Sequence, residues 1–162
     1  MKTMLSAAER RLRLESFGHV TERLENVLKD IPEHAMNLRP NEQDWSIHEI
    51  IIHLADIEAN GYIRFRKSIA EPTKAVSPFN PTLWCEELSY FNQDRWEALS
   101  IFNLLRRSNY HLLKNLPDDS WLHTVHHPEH GMISTEDLLE IQDDHVNEQI
   151  DRIITIAKQF AN

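Results

Sequence analysis

Residues 45–56 read Trp45-Ser46-Ile47-His48-Glu49-Ile50-Ile51-Ile52-His53-Leu54-Ala55-Asp56, and they hold the clearest helix start in the chain. Ser46 is a capping residue, and Glu49 three positions on completes a capping box, in which each side chain bonds a backbone N–H of the first turn. Ile47, Ile50, Ile51 and Leu54 then recur at three- and four-residue steps, the period of one buried helix face. The spacing predicts a helix from Ser46 to about Ala70, because Pro72 is the next breaker.

Outward from this block the same period appears three more times. Leu14, Phe17, Leu24, Val27, Leu28 and Ile31 predict a helix over 6–29, stopped by Pro32, with Gly18 its weak position. Trp96, Leu99, Phe102, Leu105, Leu112 and Leu113 predict another, from Asn92 or Asp94 to 116, ended by Pro117. Ser134, with Asp137 three residues on, opens the last, which carries Leu138, Val146, Ile150, Ile153 and Ile156 to Phe160. Residues 71–92 hold Pro72, Pro78 and the pair Asn80-Pro81, so they read as a long connection with one short helical turn near Trp84. Residues 118–132 read as a histidine-rich loop closed by Gly131, and no stretch alternates convincingly enough to predict a strand. The expected fold is all-α: a four-helix bundle with a long crossover connection, one domain over residues 1–162, against the alternative of an irregular helical domain.

The 162 residues, 41% of them hydrophobic, suffice for one continuous core. Seventeen Lys+Arg against 26 Asp+Glu leave a net charge of −9, a field that repels nucleic acid and acidic membranes. The longest basic cluster, Arg10-Arg11-Leu12-Arg13, sits beside Glu9 and Glu15 and reads as the solvated face of a helix. Cys85 stands alone, so no internal disulfide and no Cys-x-x-Cys site exist; a reducing, cytoplasmic setting is expected. It lacks an evident basic neighbour in sequence and reads as an unreactive, half-buried thiol. Residues 1–13 hold no apolar run long enough for a signal peptide and no run of ~18 apolar residues occurs, so a soluble chain is expected. Three glycines disfavour a Gly-rich phosphate loop, whereas ten histidines need explaining.

At ~100° per residue, Leu138, His145, Gln149 and Ile156 fall within about 20° of one line, which sets two polar groups on an apolar face. Buried polar groups need partners. His-x-x-x-His presents two metal ligands from one helix; here the second position is Gln149, a neutral oxygen donor weaker than imidazole. His53 lies at the edge of its helix's apolar stripe. From spacing alone, His53, His145 and Gln149 read either as metal ligands or as hydrogen-bonded core residues. The loop residues His123, His126, His127 and His130 lack the helical spacing of ligands, and His126 and His130 are expected at the surface.

The 45–56 block resembles the Trp-Ser, Glu-Ile and His-Leu-Ala-Asp signature of the DinB/YfiT-like superfamily. Tyr62-Ile63-Arg64-Phe65-Arg66, Ala70-Glu71, Pro78-Phe79-Asn80, Trp84 and His127-Pro128-Glu129-His130-Gly131 resemble its YfiT branch, so the similarity spans about 39–154. It implies an antiparallel-type four-helix bundle with a long crossover, often a homodimer, carrying one divalent metal, usually nickel or zinc, on three histidines. His53 and His145 fall on two of those positions and Gln149 on the third. It further implies a metal-dependent hydrolase, or a transferase that moves a low-molecular-weight thiol onto a small-molecule substrate. Beside that reading, Asp56, Asp144 and Glu148 are candidates to orient an imidazole. Arg64 and Arg66 are candidates to bind acidic groups, and His127 to cover the site. The alternative is a metal-free ligand-binding or protein-interaction module that keeps the fold around a degenerate site.

Overall fold

The computed structural model describes residues 4–160. In chain order it contains helices α1 (Ala7–Leu28), α2 (Ile47–Ala70), α3 (Pro81–Glu87) and α4 (Arg95–Lys114), strands β1 (Thr124–His127) and β2 (Gly131–Ser134), and helix α5 (Thr135–Gln159). The four long helices and the short one near Trp84 match the sequence reading. Ser6 with Glu9, Ser46 with Glu49, and Ser134 with Asp137 form complete capping boxes at the starts of α1, α2 and α5. Asp94 opens α4 by accepting from the N–H groups of Trp96 and Glu97.

Side-chain pairs set the helix directions. Arg10 meets Glu136, Arg13 meets Asp143 and Asp144, and Arg23 meets Asn147 and Asp151, so α1 and α5 run parallel. Ser68 meets Thr135, Glu58 meets Gln142 and His53 meets His145, so α2 and α5 run antiparallel. Tyr110 meets Glu15 and Asn103 meets Glu25, so α1 and α4 are antiparallel as well. It follows that α2 and α4, which also pack together, share one direction. A connection between parallel neighbours must return along the bundle, and this accounts for the long crossover that carries α3. The bundle is therefore antiparallel at two of its neighbouring contacts and parallel at the other two.

Two features depart from the sequence reading. The histidine-rich segment contains an antiparallel hairpin, with Val125 opposite Ile133 and His127 opposite Gly131. Gly131 turns it at φ +71°, a conformation that favours glycine. Each strand has four residues, too few for alternation to register. A parallel bridge from Ala75 to His126 ties the hairpin to the start of the crossover, through Thr73 N–H to Thr124 O, His126 N–H to Lys74 O and Val76 N–H to His126 O. The second departure is the basic cluster. Arg10 and Arg13 are bonded to acids of α5, so two of its three cations form an interhelical seam instead of a solvated face.

The apolar core has two bodies. One gathers Ile47, Ile50, Leu54, Phe102, Val146 and Ile150; the other gathers Phe17, Phe65, Val125, Ile133 and Leu139. At the level between them lies a buried polar layer. Glu58 pairs with Arg106 at 2.9 Å, both fully buried, and also accepts from Asn109 and Gln142. The Arg106 guanidinium lies 3.7 Å from the centre of the Phe17 ring. Among the described residues, no helix is long and apolar enough to cross a membrane.

Candidate metal centre

The second turn of α2 and the middle of α5 face each other at one point. His53 Nε2 and His145 Nε2 stand 3.4 Å apart, from residues 92 positions apart in the chain. That separation is long for a hydrogen bond, N–H···O bonds ending near ~3.2 Å. It matches two ligands on one ion: bonds of about 2.0–2.1 Å meeting at a tetrahedral angle place the nitrogens roughly 3.3–3.4 Å apart. His53 is 2% exposed, and burial, then the nearness of His145 and Arg152, pushes its pKa down to about 3. Burial also lowers His145. Both rings are therefore neutral near pH 7, the state that can donate to a metal.

Ring packing holds His53 on its other sides. Its ring stands edge-on to Trp45 at 4.7 Å and near Phe79 at 6.4 Å, while its buried Nδ1 has no partner among the described residues. Gln149, the third expected ligand, is buried on α5, one turn beyond His145. Its Oε1 accepts from Arg152 Nη1 at 3.2 Å, and no hydrogen bond joins it to either histidine among the described residues. Arg152 lies 5.9 Å from the Trp45 ring centre, so the amide, the cation and the indole share one flank of the pair. Among the described residues, no three His, Cys, Asp or Glu side chains gather as a metal cluster. Two imidazoles and an amide oxygen are what the chain offers.

The expected orienting carboxylates mostly have other partners. Asp56 accepts from the Tyr90 hydroxyl, and burial raises its pKa despite that bond. Asp144 pairs with Arg13 at 2.5 Å. Glu148 remains as an exposed charge that supports the protonated form of His145. Arg66 is structural: it bonds Asn109 and Ser108 and stacks 3.2 Å from the Tyr62 ring centre. Cys85 is more buried than expected, and burial, reinforced by Glu49 against the weaker pull of Arg39, pushes its thiol to about 11.

A cavity of about 150 Å³ borders His145 and is lined also by Arg64, Phe79, His127, Glu129 and Gln142. His130, expected at the surface, is exposed yet lines this cavity and stacks on His127 at 4.7 Å. A larger groove of about 510 Å³ between α1 and α4 touches neither histidine of the pair. The roles of Trp45, Phe79 and Arg152 escaped the sequence reading, because ring packing and the reach of an arginine across a turn leave no periodic signal.

The sequence matches the DinB superfamily over residues 16–148. A relative from Oceanobacillus iheyensis, whose name describes a metal-dependent hydrolase, is 27% identical over 136 residues, 84% of this chain and 78% of its own. YfiT of Bacillus subtilis is 27% identical over 117 residues, 72% of this chain and 66% of its own. The solved structure of that protein, described as a probable metal-dependent hydrolase with an unusual four-helix bundle topology, superposes with a TM-score of 0.91 over 99% of this chain and 93% of its own, at 22% identity. A mycothiol-dependent maleylpyruvate isomerase shares the fold at a TM-score of 0.69 and 13% identity, over 87% of this chain and 59% of its own.

Proposed function

Because this chain belongs to the DinB superfamily, we propose that it is a metal-dependent enzyme for a small-molecule substrate, with a divalent cation on His53, His145 and Gln149. Hydrolysis, or transfer of a low-molecular-weight thiol, is the reaction class this reading favours, with nickel or zinc as the metal. The observation that carries it is the pair of neutral imidazoles whose Nε2 atoms stand 3.4 Å apart. When bound, the cation supplies the Lewis acidity that makes a water or thiol nucleophilic near neutral pH. The chain supplies the rest. His53 and His145 present their nitrogens, Trp45 and Phe79 hold the first ring and keep water off it, and the cavity beside His145 receives the substrate. A reducing cytoplasmic setting and a homodimer belong to the same proposal. The latter draws on the exposed Phe91, Trp96 and Leu104, and sedimentation tests it.

Metal analysis of untagged protein equilibrated with nickel, zinc or manganese tests the centre. One ion per chain, lost in His53→Ala, is the expected result; no retained metal in either protein sinks the proposal. A second reading draws on the bond from Arg152 to Gln149 Oε1, which commits the amide elsewhere. In it the chain is a metal-free binding module, and His53 and His145 join the core polar contacts. Metal retention separates the two.

A further inference from the structure

Two side chains that line the cavity beside His145 each hold a buried donor nitrogen without a partner among the described residues. His127, on β1, is 6% exposed, and its Nδ1 accepts from the Glu129 N–H at 3.2 Å. In a neutral ring that bond leaves the proton on Nε2. This Nε2 is buried and has no partner among the described residues. Arg64, on α2, uses one Nη2 bond to Ser77 O, while its Nε is buried without a partner among the described residues. Its guanidinium lies 6.0 Å from the Phe79 ring centre. Burial, then Arg64 and His130, pushes His127 down to about 4, so the ring is a neutral donor near pH 7. Glu129, at the exposed rim, attracts Arg64 through space without pairing with it among the described residues.

Unsatisfied buried donors of this kind cost stability unless something accepts from them. We infer that Arg64 and His127 form a carboxylate-binding subsite, which receives one end of the substrate while its reacting atom lies at His53 and His145. A fixed cation with a neutral N–H beside it matches the two oxygens of a carboxylate. Size agrees. A volume of about 150 Å³ leaves room for a carboxylate on a short carbon chain. The assignment of the anion to a substrate rests on the metal-centre proposal; the subsite itself does not.

The test uses metal-free full-length protein, so binding at the metal cannot contribute. Histidine ring ¹⁵N spectra are followed during titration with acetate and with its neutral isostere acetamide, at constant ionic strength. Saturable movement of the His127 ring signals by acetate alone is expected. Arg64→Gln should weaken acetate at least about tenfold, the equivalent of about 1.4 kcal/mol, and Arg64→Lys should weaken it less. Equal responses to acetate and acetamide overturn the subsite on the native protein, whatever the variants do. An Arg64→Gln protein that binds acetate as well as the native chain also overturns it, as does inorganic phosphate binding tighter than acetate. Loss of metal binding in the earlier experiment leaves these results standing, and loss of acetate binding leaves the metal centre standing.

Discussion

At the scale of single residues, position 149 is the test of the proposed centre. An imidazole is a stronger donor than an amide oxygen to zinc or nickel, and it cannot accept from Arg152 while it binds a metal. Gln149→His is therefore expected to raise metal affinity on the order of tenfold or more, about 1.4 kcal/mol, in competition with a chelator. Unchanged affinity would place Gln149 outside the coordination sphere. The thiol at Cys85 gives a second residue-level expectation. Ionising only toward about pH 11 and buried, it should react with a disulfide reagent at pH 8 far more slowly than free cysteine, and at the free rate only after unfolding. That His53 and His145 meet was expected from the resemblance to the DinB/YfiT-like pattern, since the apolar period alone left both open to a core-contact reading. Arg152 was not, since its role depends on which neighbour its long side chain reaches.

Among the elements, α2 does most to position the site, and its start is the place to perturb it. The Ser46 hydroxyl accepts from Glu49 N–H, and the Glu49 carboxylate accepts from Ser46 N–H and from Arg39. Ser46→Ala should cost about 1 kcal/mol, or roughly 2–4 °C in Tm. Burial drives the Glu49 carboxyl upward, but the bonds from Arg39 and Ser46 outweigh it and hold its pKa below the ordinary value. A depressed carboxylate stabilises the fold above its unfolded pKa, and that stability is lost as pH falls through the folded value. Glu49→Gln should accordingly flatten the decline of the urea midpoint from pH 5 downward, and an unchanged slope would assign the acid sensitivity to other carboxylates. The apolar period, with prolines after three ends and capping signals at two starts, made all four long helices readable in advance. The hairpin was not, because each strand has only four residues: Val125, His127 and Ile133 alone turn inward, and the crossover backbone completes the ladder.

For the molecule as a whole, the polar layer between the two apolar bodies is the feature most exposed to mutation. Arg106→Met strands the Glu58 carboxylate in the core and should cost about 3–5 kcal/mol in urea unfolding. A loss below about 1 kcal/mol would mean that Asn109 and Gln142 alone satisfy that carboxylate. Gly61 belongs to the same layer. A Cβ there would stand 2.7 Å from the Gln142 amide, which is pinned to Ile57 O and Glu58, so Gly61→Ala should destabilise by about 1–3 kcal/mol. The net apolar pattern predicted one core; that charges divide it was hidden, since Glu58 and Arg106 read as surface residues until their helices are docked. The bridge between the crossover and the hairpin has a wider consequence. Because main-chain bonds at Thr73, Lys74 and Val76 hold the wall that carries His127, the side chains at 126, 129 and 130 are not needed to keep it in place. The frame and the side chains it displays are encoded separately, so those three positions can drift, or be varied in a library, while the scaffold stays folded.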